Sequence, residues 1–278
     1  MRIDEENKRV YVRQSWLGDA LLCMERGRRM MVSPEFRVTN DSAMLGTATH
    51  AGIEAVLRNS VASKDAHFVS VAKLNELQLG DDVRVTNIDP STWEPLVTSM
   101  TKAWVDNILP EVPLGGSVEH KFEVEAGRIV SGYELWFEGT MDYVHETGVW
   151  DWKTAARKYS PLEKQTQNIQ SAIYTGAAER LGLTPNSNGK FMFGIMIRSL
   201  KGDTQILSVQ RSQPHWDWVV EQAATMIGAY LALRVGTEFR TPMPKNDQHF
   251  LCSDRWCPWW SVCKGVHIQS KDNQLGDN

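Results

Sequence analysis

The alternation of apolar and polar residues predicts an α/β fold with a mixed central β-sheet flanked by helices. Three observations carry this prediction. Residues 117–153 hold three period-two runs, the pattern of a β-meander. Two more such runs follow at 191–198 and 204–210. Stretches with helical spacing precede, separate and follow them, and helices that alternate with strands in this way build an α/β layer structure. In chain order, residues 15–31 read as a helix containing Cys23, with Ser15 as its cap. Residues 46–57 form a small-residue helix with His50 and Glu54 four apart, and 92–109 a helix ended by Pro110. Strands are expected at 117–126 and 133–145, turning at Gly127-Arg128, and a third at 149–153. Pro161 opens a helix that runs to 181 and stops at Gly182. Lys201-Gly202-Asp203 is the turn between the last two strands, and 216–235 is the final helix. No linker divides the chain. It is expected to be one domain over 1–278, with an N-terminal segment at 1–40, a core at 41–240, a Cys-rich segment at 241–267 and a frayed polar tail at 268–278.

The 278 residues are 42% hydrophobic and 23% charged, which is ordinary for a globular protein. No apolar run is long enough to cross a membrane. The N-terminus, Met1-Arg2-Ile3-Asp4, lacks a signal-peptide core, so a cytoplasmic protein is expected. The net charge of −4 does not advertise a nucleic-acid partner, but local charge matters more than the sum. Two basic stretches stand out. Arg26, Arg28 and Arg29 read as solvated surface charge. Arg157, Lys158 and Lys164, just beyond Lys153, are read as phosphate contacts.

The chemistry is concentrated in Gly139-Thr140-Met141-Asp142 and Val149-Trp150-Asp151-Trp152-Lys153-Thr154. Alternate residues of a strand share a face, so Asp151 and Lys153 point the same way. Asp142 and Asp151 offer hard oxygens suited to magnesium or manganese, and the Trp152 carbonyl offers a third. His50 adds a nitrogen that manganese accepts more readily. A bound metal can polarise a phosphate and activate water, and Lys153 can orient that water or stabilise the developing charge. An isolated Asp-x-Lys is weak, since it also describes a surface ion pair. Here Val149, Trp150 and Trp152 mark the strand as buried, where lone charges are costly.

Together these residues resemble the PD-(D/E)XK nuclease superfamily, and in particular its RecB/Cas4-like branch. The resemblance covers His50 in Gly46-Thr47-Ala48-Thr49-His50, then Gly139-Thr140-Met141-Asp142, then Asp151-Trp152-Lys153, then Gln170 and Tyr174 in a Gln-x-x-x-Tyr helix motif. It spans about Gly46 to Gly182 and implies a restriction-endonuclease-like core. Asp142, Asp151, Lys153, Gln170 and Tyr174 would be catalytic, with His50, Asp142 and Asp151 on the metal. Gln170 and Tyr174 share a helix face. The resemblance also places an acid near Glu119, read here as support on the phosphate side or as surface.

The cysteines are Cys23, Cys252, Cys257 and Cys263. A disulfide framework does not suit a chain of this length without a signal peptide. Zinc usually takes paired Cys-x2-4-Cys knuckles, whereas iron–sulfur clusters accept irregular spacings beside a proline, such as Pro258. The Cas4-like and AddB-like nucleases carry one cysteine before the core and three after it. The resemblance therefore implies a [4Fe–4S] cluster stapling the two ends. Trp256, Trp259 and Trp260 would shield it, or would stack a single-stranded base.

The reading is thus a metal-dependent DNA exonuclease acting on single-stranded or recessed ends in recombination, replication or CRISPR-type processing. No phosphate-binding Gly-rich loop is present, so a helicase or Cas protein would be a separate partner. Two further classes remain open on sequence: a non-catalytic DNA-binding adaptor, and a redox-responsive iron–sulfur protein. Nothing in the sequence demands an oligomer.

Overall fold

The computed structural model describes residues 1–34, 39–80, 83, 85, 88–166, 168–239, 243–254 and 256–263. The polar tail at 268–278 lies outside them. Seven strands form one mixed sheet: β1 (Arg2–Asp4), β2 (Arg9–Val12), β3 (Ser117–Val130), β4 (Tyr133–His145), β5 (Gly148–Ala155), β6 (Lys190–Ile197) and β7 (Thr204–Gln210). Their order is β1-β2-β4-β5-β6-β7, and β3 pairs with β4 from the side. The β2–β4 and β5–β6 pairs are parallel and the others antiparallel. The helices are α1 (Gln14–Leu22), α2 (Met24–Val32), α3 (Asp41–Leu57), α4 (Ala66–Gly80), α5 (Trp93–Asn107), α6 (Pro161–Thr166), α7 (Ile169–Arg180) and α8 (Gln213–Ala232).

Alternation along the sheet sorts the buried residues into two cores. On one face Trp16 of α1, Ile173 of α7 and Trp216 of α8 pack on Phe137, Phe191 and Phe193. On the other face Met44 and Ile53 of α3, Leu74 of α4 and Trp104 of α5 pack on Trp150, Trp152 and Met196. A long mixed sheet with helices on both faces is the predicted architecture.

Several boundaries depart from expectation. The helix expected at 15–31 is broken at Cys23, whose backbone is extended (φ −158°, ψ 112°), and Ser15 lies inside α1 rather than capping it. The turn expected at Gly127-Arg128 moves to Ser131-Gly132. Both residues there have positive φ (51° and 85°), and Val130 pairs with Tyr133 across them. Two residues with positive φ make the turn whose twist matches a hairpin. β3 reaches this turn through an irregular register between Glu125 and Ile129. The helix expected at 161–181 is two helices. Asn168 caps the second, its side chain accepting a 2.7 Å hydrogen bond from the Ser171 N–H. The β1–β2 hairpin and α4 were not expected.

One feature of the sheet shapes the site. β4 carries β3 along one edge. Its other edge serves β2 at Glu134–Phe137 and then β5 at Tyr143–His145. β4 and β5 therefore pair over three residues and then separate, which leaves the backbone of Trp152 facing a gap.

Candidate active site

Asp142 lies at this gap. Its Oδ2 accepts a 2.7 Å hydrogen bond from the Trp152 N–H, replacing the missing strand partner. The Trp152 carbonyl, on the same backbone edge, acts on the His50 imidazole as an acceptor. His50 projects from α3, and its Nδ1 is 3.8 Å from Asp142 Oδ2. Burial first, and then the Lys153 ammonium, lower the His50 pKa to about 4. The imidazole is therefore neutral near pH 7 and has a lone pair free for a cation. α3 and α7 cover opposite faces of the sheet, so the gap is where residues from both layers meet.

Asp151 is 1% exposed. Gln170 of α7 donates to its Oδ1 at 2.6 Å, and the Lys153 ammonium lies 2.6 Å from its Oδ2. Among the described residues Oδ2 receives no aligned hydrogen bond, so the ion pair alone offsets its burial. Desolvation raises the Asp151 pKa to about 6 despite Lys153, with Asp142 adding repulsion. Burial likewise raises Asp142. Burial opposes the charge on Lys153, but Asp151 and Asp142 outweigh it and hold its pKa above the usual lysine value. The ammonium therefore remains a charge stabiliser and not a base.

Tyr174 stands one turn beyond Gln170. Its ring packs edge-on against Phe122, with centroids 5.5 Å apart. Burial and then the Asp151 charge raise the phenol pKa, so its hydroxyl stays protonated. Glu119 faces Asp142 across β3–β4, between the Val118–Tyr143 and His120–Met141 pairs. Its φ of +52° is left-handed, a conformation that a non-glycine residue holds at a cost. Burial, then Asp142 and Glu54, lift its pKa to about 7.

The predicted residues His50, Glu119, Asp142, Asp151, Lys153, Gln170 and Tyr174 thus converge. Glu54 was noted for its spacing from His50 but not as part of the site. It belongs to the same acidic field, although it also pairs with Arg58 at 2.7 Å. As the side chains stand, no three His, Cys, Asp or Glu among the described residues are close enough to hold a metal. The donor set nevertheless fits a divalent cation. The partly buried Asp142 adds repulsion to the buried Asp151, a single ammonium faces both carboxylates, and a neutral imidazole adjoins them. His50, Asp142, Asp151 and the Trp152 carbonyl would hold it. When bound, it would polarise a phosphate and acidify water. Gln170 orients Asp151 through one oxygen, and the Lys153 ammonium lies against the other.

The basic stretches separate. Arg26 pairs with Asp19 at 2.8 Å, while Arg28 and Arg29 both bind Glu25. Arg28 is 6% exposed, which corrects its reading as solvated charge: the stretch is spent on internal ion pairs. Arg157 and Lys158 are exposed, and Lys164 lies over the Tyr159 ring at 4.3 Å. The four cysteines, each partly buried, line one cavity of about 40 Å³ with Trp259 and Trp260. Trp259 is buried, and its indole donates to the Ser33 carbonyl at 2.9 Å, so its ring is closed to a base and the stacking alternative fails there.

An open α/β sheet whose splayed strands bring Asp142, Asp151, Lys153 and the helix-borne Gln170 to one cleft has the layout of a nuclease core. The chain belongs to the PD-(D/E)XK nuclease superfamily, whose family model matches residues 23–264. Among solved structures, it is similar to a candidate exonuclease from Eubacterium rectale, with a TM-score of 0.58 and 11% identity, over 91% of this chain and 92% of that one. The crystal structure of SSO0001 aligns over 94% of this chain and 88% of that one, with a TM-score of 0.42 and 14% identity. No curated protein matches the chain.

Proposed function

We propose that this chain is a magnesium- or manganese-dependent DNA exonuclease that acts on single-stranded or recessed ends. The observation that carries the reading is the pairing of partly buried Asp142 with buried Asp151, with Lys153 against the second carboxylate and Gln170 holding its other oxygen. In this reading Asp142, Asp151 and His50 hold the metal, Lys153 steadies the attacked phosphate, and Tyr174 supports Gln170. Glu119 supports the phosphate side, and Arg157, Lys158 and Lys164 contact the strand. The substrate is DNA in recombination, replication or CRISPR-type processing, with any unwinding left to a helicase partner. Residues 1–278 act as one nuclease domain.

End-labelled single- and double-stranded DNA, incubated with either metal, tests this. Wild type should release nucleotides from an end, and the first label freed gives polarity. Lys153→Ala should be slower by about 10²–10³-fold, the scale for removing one preorganised charge from a transition state. Equal rates for both proteins would sink the assignment.

The RecB/Cas4-like, AddB-like iron–sulfur arrangement is part of the proposal. Its support is that Cys23, Cys252, Cys257 and Cys263 border one cavity and that the family match runs from 23 to 264. Protein purified without oxygen should be brown and contain iron and sulfide, and Cys257→Ala should lose both. Iron-free protein from an anaerobic preparation that is folded and active would contradict the cluster.

A further inference from the structure

The groove beyond the carboxyl ends of β5 and β6 adds Arg198 to the cations Arg157, Lys158 and Lys164. It is open, about 650 Å³, and bordered by Arg157, Lys158, Lys164 and Arg198, with Glu163 the carboxylate on its rim and Tyr159 at its wall. β5 and β6 run parallel, with Ala155 opposite Ile197, and the Arg198 N–H continues the ladder to the Ala155 carbonyl at 2.8 Å. Open α/β sheets bind ligands in the crevice outside the carboxyl ends of their parallel strands. Lys153 lies two residues before Ala155, or ~7 Å along the strand. The groove therefore opens directly off the cleft.

Its walls are fixed in place. Gln205 of β7 accepts from the Tyr159 N–H at 2.8 Å and donates to the Tyr159 carbonyl at 3.1 Å, pinning that residue from both sides. Arg211 is buried and donates to the Lys164 and Gln165 carbonyls at 2.6 and 2.9 Å, which anchors α6. Arg198 is half-buried. Among the described residues no carboxylate forms an ion pair with it; Asp41 and Tyr159 act on it at longer range. A half-buried guanidinium that lines the groove beside three further cations, with no ion pair to a carboxylate among the described residues, suits a bidentate phosphate.

We propose that Arg198 seats a phosphate of the bound strand next to the scissile one, with Arg157 and Lys158 extending the track and Tyr159 flanking the sugar or base. This inference rests on the nuclease reading. The phosphate is an internal phosphodiester or a terminal monoester, and the test separates the two.

The probe is a fluorescent single-stranded DNA oligonucleotide carrying a 5′-phosphate or a 5′-hydroxyl, titrated in EDTA over a series of salt concentrations. Arg198→Met should bind about tenfold more weakly, the worth of one charged hydrogen-bonded contact. Its log K against log salt should flatten by about 0.7, the loss of one phosphate contact on a single strand. Arg198→Lys should keep the wild-type slope. If Arg198→Met does not fold, as melting would show, exposed Arg157→Ala gives the same slope test. A wild-type preference for 5′-phosphate that Arg198→Met erases assigns a terminal monoester. Equal weakening of both oligonucleotides assigns an internal phosphodiester. Cleavage is scored in parallel with manganese. Wild-type cleavage with an unchanged slope in Arg198→Met and Arg157→Ala overturns the groove while the nuclease reading stands. A wild type that neither binds nor cleaves overturns both.

Discussion

Asp142 holds a charge that the fold does not favour. Burial raises its pKa against the pull of the Lys153 ammonium and the Trp152 N–H, and its charge in turn raises the pKa of Asp151 and Glu119. Without a cation, that repulsion destabilises the folded state. Asp142→Asn keeps the amide oxygen that accepts from the Trp152 N–H and removes the charge. The variant is expected to melt higher in EDTA by about 1 kcal/mol, on the scale of other relieved functional sites, and to lose at least about 10²-fold in cleavage rate. Thermal melts with and without manganese check this. Wild type should gain stability from the metal by mass action, and the variant should gain less. A variant that melts lower in EDTA would mean the carboxylate is a structural asset and would remove the strain argument.

At the scale of elements, Glu138 ties the N-terminal strands to β4. Arg2, beginning β1, donates to it at 2.9 Å, and Arg13, just before α1, at 3.0 Å. Burial pushes the Glu138 pKa up, but the Arg2 and Arg13 bonds outweigh that and hold it below the usual glutamate value. A depressed carboxylate stabilises the fold fully above its unfolded pKa of about 4.5 and loses that contribution as pH falls through its folded value. Both arginines are well exposed, so screening limits the effect to about 1 kcal/mol. Glu138→Gln should therefore be less stable at pH 7 and show a shallower loss between pH 5 and pH 3 than wild type, as measured by urea unfolding. Parallel acid limbs would exclude the tether. The sequence foretold β4 at its full length because thirteen residues of alternation outweigh any local ambiguity. It was silent on β1 and β2, which are three and four residues long and take their stability from pairing on β4. The break at Cys23 was hidden because good helix formers flank it. The break at Asn168 was hidden because a capping residue inside a helical pattern looks like an ordinary polar position. The shared face of Asp151 and Lys153 was visible from strand alternation, whereas His50, Asp142, Gln170 and Tyr174 were joined to them by the resemblance of their motifs to a known family. Glu54, Tyr159 and Arg198 were visible in neither way, because tertiary pairing of β5 with β6 and packing of α3 on the sheet bring them near.

At the scale of the whole molecule, the two ends of the described chain are locked together. Glu25 of α2 is 2% exposed and accepts from Arg28 at 2.7 and 2.8 Å, from Arg29 at 2.8 Å and from the Met243 N–H at 2.9 Å. The Arg28 guanidinium also reaches the Phe239 carbonyl at 2.7 Å, and Tyr230 of α8 donates to the Met24 carbonyl. Asn246 and Trp259 add hydrogen bonds to Leu22 and Ser33. This clasp joins helices that flank Cys23 to the segment that carries the other three cysteines, independently of any bound group. Glu25→Ala would leave the Arg28 guanidinium buried without its carboxylate and the Met243 N–H without an acceptor. Breaking a buried pair in this way costs about 3–5 kcal/mol. The expected result is a lower urea midpoint and faster protease cleavage after residue 243. Glu221→Ala, which breaks an exposed pair with Arg128 at 3.4 Å, should shift the midpoint by less than about 1 kcal/mol. If Glu25→Ala behaved like Glu221→Ala, the ends would be held by something other than this buried carboxylate, and the cysteine cavity would be left as the element that closes the molecule.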